Sequence, residues 1–259
     1  MRKEAIGIFD SGVGGTSIWK ELHELLPYED TIYLADSKNA PYGPKGRGPI
    51  RALSKKNTAY LLKRRCKLII VACNTATTNA IHYLRNHYDV PFIGIEPAIK
   101  PAALKTKTNS VGLLATKGTL SSALFHKTAN LYSSTINIIE QVGEGIVPLI
   151  ENGQLHSKEM KALLNTYLQP MLNANIDHLV LGCTHYPYLI PILRTLLPKT
   201  IKIIDSGEAV AKQTKAVLEK HQLINPSTKV SKHQFYTNGA ADVMQTLIGS
   251  KYKAEYLNF

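Results

Sequence analysis

The stretch Leu68-Ile69-Ile70-Val71-Ala72-Cys73-Asn74-Thr75-Ala76 constrains this chain more than any other. Four apolar residues run unbroken into a small residue, a thiol and polar residues. Such a run reads as a strand of a parallel sheet, covered on both faces. Asn74, Thr75, Thr77 and Thr78 supply capping chemistry, so a helix follows to about Arg85. Cys73 then sits where a strand ends and a helix begins, the edge of an open α/β sheet at which ligands bind.

The chain repeats this plan in Leu179-Val180-Leu181-Gly182-Cys183-Thr184-His185-Tyr186-Pro187. A second echo links Ile6-Gly7-Ile8-Phe9-Asp10-Ser11-Gly12 with Val111-Gly112-Leu113-Leu114-Ala115-Thr116-Lys117-Gly118, at nearly the same offset. The expected fold class is therefore α/β. Two pseudo-symmetric lobes are expected, each a mainly parallel sheet flanked by helices, with the active site in the cleft between them. The first lobe is assigned to residues 1–97 plus 211–259 and the second to 98–210.

With 44% apolar and 19% charged residues, the chain has the balance of an ordinary globular protein. No apolar run approaches a membrane span, so no membrane partner is expected. The segment Met1-Arg2-Lys3-Glu4-Ala5 runs straight into a strand and does not resemble a cleaved signal. Three cysteines are no disulfide framework and point to a reducing cytoplasm. The net charge of +12 invites a nucleic-acid reading, but the basic residues are scattered. The densest cluster, Lys63, Arg64, Arg65 and Lys67, reads as a solvated helix end. No nucleic-acid partner is expected, and an anionic small substrate suits the charge as well.

In order, the pattern predicts a strand over 5–10, a glycine-rich turn over 11–17 and a helix to about Leu26. That turn is neither a dinucleotide fingerprint nor a P-loop. A strand over 31–35 leads to an irregular stretch with Pro41-Tyr42-Gly43-Pro44-Lys45-Gly46. A helix over 50–67 precedes the Cys73 strand, and a strand over 90–96 leads into the second lobe. There, strands are expected over 111–115 and 136–141, a loop over 147–153 and a helix over 159–173. After the Cys183 strand come a strand over 201–205, a helix to about His221, a loop over 225–232, a strand over 234–237 and a helix over 240–248. The last two are expected to return to the first lobe.

Two thiols at equivalent strand ends leave several readings open. Free cysteines are often merely buried. A redox pair would lack C-x-x-C, and a metal site would have only His185 nearby. A cysteine hydrolase needs one thiol and leaves the other unexplained. Inverting a stereocentre at an acidic carbon uses both, with a base on one face and an acid on the other. A thiol of pKa about 8.5, lowered at a helix N-terminus, suits either task. Hydroxyls and amides of Ser11, Asn74, Thr75 and Thr184 could steady the carbanion.

Taken together, Phe9-Asp10-Ser11-Gly12-Val13-Gly14-Gly15, Ala35-Asp36-Ser37, Pro41-Tyr42-Gly43, Ala72-Cys73-Asn74-Thr75-Ala76, Gly94-Ile95-Glu96-Pro97, Leu181-Gly182-Cys183-Thr184-His185-Tyr186-Pro187 and Ile204-Asp205-Ser206-Gly207-Glu208 resemble the cofactor-independent aspartate/glutamate racemase superfamily, its glutamate racemases in particular. The resemblance implies interconversion of L- and D-glutamate, supplying D-glutamate for peptidoglycan. It implies that Cys183 takes the α-proton from L-glutamate and Cys73 from D-glutamate. Asp10, His185 and Glu151 match thiol-assisting positions. Asp10, Ser11, Pro41, Tyr42, Gly43, Asn74, Thr75, Thr184 and His185 match substrate-binding ones. The resemblance also implies no pyridoxal phosphate, metal or flavin, and a homodimer. Thr16, Gly46, Ala98 and Lys117 depart from common family residues. Aspartate racemisation, and an anion-binding module without turnover, are the alternatives.

Overall fold

The computed structural model describes residues 3–259. Met1 and Arg2, with which the reading of the N-terminal segment begins, lie outside the described residues. The first part of the chain forms β1 (Ile6–Asp10), α1 (Thr16–Leu25), β2 (Thr31–Ala35), a 3-10 turn (Ser37–Asn39), α2 (Arg47–Lys63), β3 (Leu68–Val71), α3 (Asn74–His87) and β4 (Phe92–Gly94). Next come α4 (Ile99–Lys105), β5 (Ser110–Ala115), α5 (Lys117–Leu120), α6 (Ala123–Asn130), β6 (Asn137–Val142), α7 (Ile146–Glu151) and α8 (Lys158–Asn173). They are followed by β7 (His178–Gly182), a 3-10 turn (Tyr186–Leu189), α9 (Ile190–Leu196) and β8 (Lys202–Ile204). The chain ends with α10 (Gly207–Lys220), β9 (His233–Thr237), α11 (Ala241–Ile248) and β10 (Ala254–Tyr256).

Two parallel sheets organise these elements, one in the order β10-β9-β2-β1-β3-β4 and one in the order β6-β5-β7-β8. The segment β2-β1-β3-β4 has the same order as the whole second sheet, which is the repeat seen in the sequence. In each, the chain reverses direction of travel between the first strand and the third, so β1/β3 and β5/β7 are switch points. Ligands bind beyond the carboxyl ends of strands at such points. Cys73 follows β3 and Cys183 follows β7.

Every residue of β1, β2, β3 and β7 is buried, as unbroken apolar runs require. Successive side chains alternate between faces. Ile8 and Ile70 join a central cluster that continues to Leu114, Leu179 and Leu181 of the second sheet. Phe9, Ile69 and Val71 face α2 and α3 instead. The second sheet's other face carries Val111, Leu113 and Val180 against Ile99, Ala102 and Phe125.

Several expectations change. The helix expected over 50–67 is α2, which ends at Lys63, and Arg65 takes a left-handed φ of 58° that stops it. Lys67 is therefore not on a solvated helix end. It is buried, with Nζ 2.6 Å from Glu29 Oε2 and 2.8 Å from the Leu223 carbonyl. The loop expected over 147–153 is mostly helix: Gly145 turns the chain at φ 79°, and Pro148 sits in the first turn of α7, where a missing N–H costs nothing. α10 runs through residues 210 and 211 and packs along α1.

Candidate active site

Cys73 and Cys183 line one small cavity between the two sheets, with Ser11, Pro41, Tyr42, Gly43, Asn74, Thr75, Thr116, Val147, Thr184 and His185. Its volume is about 10 Å³, room for a water molecule at most. The lining residues come from loops and first helical turns after β1, β2, β3, β5, β6 and β7, all carboxyl ends of strands. Asp10 and Glu151 stand one layer back.

Each thiol leads through a polar side chain to a carboxylate. On the first-sheet side, Cys73 Sγ donates to Ser11 Oγ at 3.6 Å, and Ser11 Oγ donates to Asp10 Oδ1 at 3.1 Å. On the other side, Cys183 Sγ lies 3.7 Å from His185 Nδ1, and His185 Nε2 lies 2.5 Å from Glu151 Oε1. The carboxylates are held in turn. Asp10 accepts from the Ser11 and Gly15 N–H groups and, at 2.9 Å, from the Thr184 hydroxyl of the opposite unit. Glu151 accepts from the Val13 N–H at 2.7 Å and the Ser37 hydroxyl at 2.8 Å, both from the first-sheet unit.

The electrostatics of the two sides differ. Burial pushes the Asp10 carboxyl above the usual range, against the pull of His185. Burial opposes charge on His185, but its hydrogen bonds to Cys183 and Glu151 outweigh this and hold the imidazole well above its ordinary value. Burial also acts upward on Glu151, yet His185, Ser37 and the Val13 N–H bring it below the usual range. His185 and Glu151 therefore form an imidazolium–carboxylate pair. Cys73 caps α3, its sulfur accepting the Ala76 N–H at 3.4 Å. The helix terminus was expected to lower this thiol. Burial and the Asp10 charge win instead, and its pKa lies well above the ordinary value.

The glycine turn has a use that its sequence did not reveal. A Cβ on Gly12 would collide with the Glu151 carboxylate, and one on Gly14 with the His185 ring. The turn is bare so that the second unit's relay can lie against it. Asn74 is also distinctive, being buried with neither carboxamide atom hydrogen-bonded. With no protein partner, both ends of this cavity-lining carboxamide are open to a ligand or a water molecule.

Tyr42 is buried, and its hydroxyl donates to Asp36 Oδ2 at 2.5 Å, so the ring and backbone form the cavity wall. Thr116 and Val147 line the cavity and Ser37 holds Glu151, three residues that the sequence reading missed. The signal for Thr116 was present, because the repeat aligns it with Ser11. Ser37 stood within the Ala35-Asp36-Ser37 motif, but its role did not show because Glu151 is distant in sequence, and Val147 carried no signal. Thr16, one of the departures, bonds Tyr188 Oη at 2.5 Å, and Ser17 Oγ donates to the Thr184 carbonyl at 2.9 Å. Among the described residues no three His, Cys, Asp or Glu side chains group as a metal site, and no helix is long and apolar enough to cross a membrane.

The sequence profile of the Asp/Glu/hydantoin racemase family matches residues 6–214. A glutamate racemase of Herpetosiphon aurantiacus is 43% identical over 92% of this chain and 94% of its own length. One of Pseudomonas aeruginosa is 40% identical over 96% and 94%. Among solved structures, a glutamate racemase of Bacillus anthracis superposes with a TM-score of 0.89 at 26% identity, covering 100% of this chain and 98% of that one. The Escherichia coli glutamate racemase, solved with L-glutamate and an activator, gives 0.84 at 32% identity, covering 98% and 97%.

Proposed function

This chain belongs to the Asp/Glu/hydantoin racemase family and is an amino-acid racemase, and from that premise we propose that it interconverts L- and D-glutamate by proton transfer between Cys73 and Cys183. The observation that most supports this is the pair of thiols lining one cavity, one from each sheet's side, each backed by its own relay to a carboxylate.

In the L-to-D direction the Cys183 thiolate, balanced by the His185 imidazolium, takes the α-proton. The bonding pair stays on carbon and spreads into the substrate carboxylate. The Cys73 thiol then gives its proton to the opposite face, leaving a Cys73 thiolate and D-glutamate. The reverse direction exchanges the two roles. A Cys73 pKa held high keeps that thiol protonated, as the acid of the L-to-D direction must be. Before another turnover in the same direction, Cys183 gives the proton it gained to solvent and Cys73 takes one from solvent, while Ser11 with Asp10 and His185 with Glu151 hold the two sulfurs in place. Asn74, Thr75 and Thr184 are the proposed holders of the substrate's charged groups, with Ser11, Pro41, Tyr42 and Gly43 shaping the pocket.

The same reading covers a cytoplasmic homodimer that provides D-glutamate for peptidoglycan without a bound cofactor. It also treats β1 to β4 with α10 to β10 as one moving unit, and α4 to β8 as the other.

The test is incubation with L-glutamate in D₂O, following chirality and α-deuterium together. Loss of rotation with one deuterium incorporated is expected. Cys73→Ala and Cys183→Ala should each lower racemisation by about a hundred- to ten-thousand-fold with an unchanged circular dichroism spectrum. Full rates in either variant would refute the two-thiol reaction. The same assay with aspartate separates the alternative, since one methylene decides which donors the side-chain carboxylate reaches.

A further inference from the structure

Outside the thiol cavity, and beside it, lies a hollow of about 530 Å³ where the Gly43–Arg47 loop faces α5 and α6. Lys45, Arg47, Lys117, Lys127 and His82 line it, and no Asp or Glu does. Among the described residues, none of the four Lys and Arg side chains is in an ion pair.

Gly43 lines both this hollow and the thiol cavity. The partition between them is thin. Gly118 packs so closely that a Cβ there would lie 2.8 Å from the Gly43 carbonyl oxygen and 2.8 Å from Thr75 Cγ2. Beside it, Thr75 Oγ1 and Thr116 Oγ1 are 2.7 Å apart. Gly43 and Thr75 belong to the first-sheet unit, and Thr116 and Gly118 to the second. Separating the two sheets opens this seam directly from the hollow to the sulfurs.

A second hollow, of about 250 Å³, meets the thiol cavity at Pro41, but its charged group is Glu151. An anion approaching there meets no lysine or arginine, since the one charged lining residue is Glu151, already paired with His185, whereas at the first hollow it meets four cations. Clefts lined by one sign of charge raise the local concentration and the capture rate of oppositely charged ligands.

We propose that the basic hollow is a capture chamber in which the dicarboxylate substrate binds before the Gly43–Gly118 seam parts to admit it. This rests on the glutamate reading above and adds a route and a first binding site to it. The cations act on the encounter, not on the proton transfers. Their removal therefore lowers kcat/KM and leaves the chemical step alone.

The test uses the full-length protein, after racemisation of glutamate by the unaltered enzyme has been measured. Lack of that activity would refute the preceding reading rather than this one. Given activity, the double variant Lys117→Glu/Lys127→Glu should lower kcat/KM for glutamate about tenfold, with kcat within about twofold. The unaltered enzyme should lose kcat/KM as sodium chloride rises, and the variant should lose less. Lys161→Glu/Lys199→Glu makes the same change in net charge at exposed residues lining none of these hollows, and should leave kcat/KM within about twofold. Should charge reversal unfold the protein, Lys117→Met/Lys127→Met keeps the side-chain length and should still reduce kcat/KM and its salt dependence. An unchanged kcat/KM in a folded variant, or an equal loss in the control pair, overturns the proposal.

Discussion

At the scale of single residues, Asn74 shows a site built at the expense of stability. A buried polar group without a partner costs about 1–3 kcal/mol, and both ends of this carboxamide lack one. Asn74→Ala should raise KM for glutamate about ten- to a hundredfold, the worth of a hydrogen bond to a charged group, while the melting temperature stays level or rises. Steady-state kinetics and thermal unfolding on the same sample check both halves. Gly14→Ala should do the opposite of a conservative change, because its methyl group must displace His185; a loss of activity of a hundredfold or more is expected. His233 supplies a pH dependence away from the site. Its Nδ1 is 2.8 Å from Thr31 Oγ1, which also accepts from Trp19 Nε1 at 3.0 Å, and its Nε2 is 2.8 Å from Ser231 Oγ. Burial and the neighbouring His23 push its pKa down to about 4. Between the unfolded value of about 6.5 and this folded one, the unfolded chain binds the extra proton. Stability should therefore fall as pH drops from about 6.5 to about 4, and His233→Gln should flatten that slope in urea unfolding.

At the scale of elements, the buried strands and long helices were legible because their apolar runs and periodicity span enough residues to be distinctive. Elements of one or two turns were not. α4, α5 and α6 have no period to read, and Pro148 disguised α7 as a loop. The end of α2 was missed because its stop is a left-handed Arg65, a residue that gives no warning in sequence. Both cysteines were legible as strand-end residues, whereas Glu151 became intelligible only once α7 carried it to His185. α2 also offers a test. Its N-cap is Gly46, which makes no side-chain cap and has open space around a Cβ. Gly46→Ser should add a few tenths of a kcal/mol of capping and raise the melting temperature by about 1 °C.

At the scale of the whole molecule, the repeated strand order brings two switch points face to face, and the contacts across the cleft are specific. Thr184 reaches Asp10, Val13 and Ser37 reach Glu151, and Thr16 reaches Tyr188. A cavity of about 10 Å³ cannot admit an amino acid without relaxing some of them. Amide hydrogen exchange should therefore be measurable over 43–46 and 116–122 in the free protein and slow on saturation with glutamate, while β1 and β3 stay protected throughout. The repeat is also imperfect where it matters, since a hydroxyl stands behind one sulfur and an imidazolium behind the other. Mirror-image molecules have equal free energy in water, and no catalyst can favour one at equilibrium. Any inequality in turnover number that these unequal surroundings produce must be matched by the same inequality in KM, so that the two specificity constants coincide.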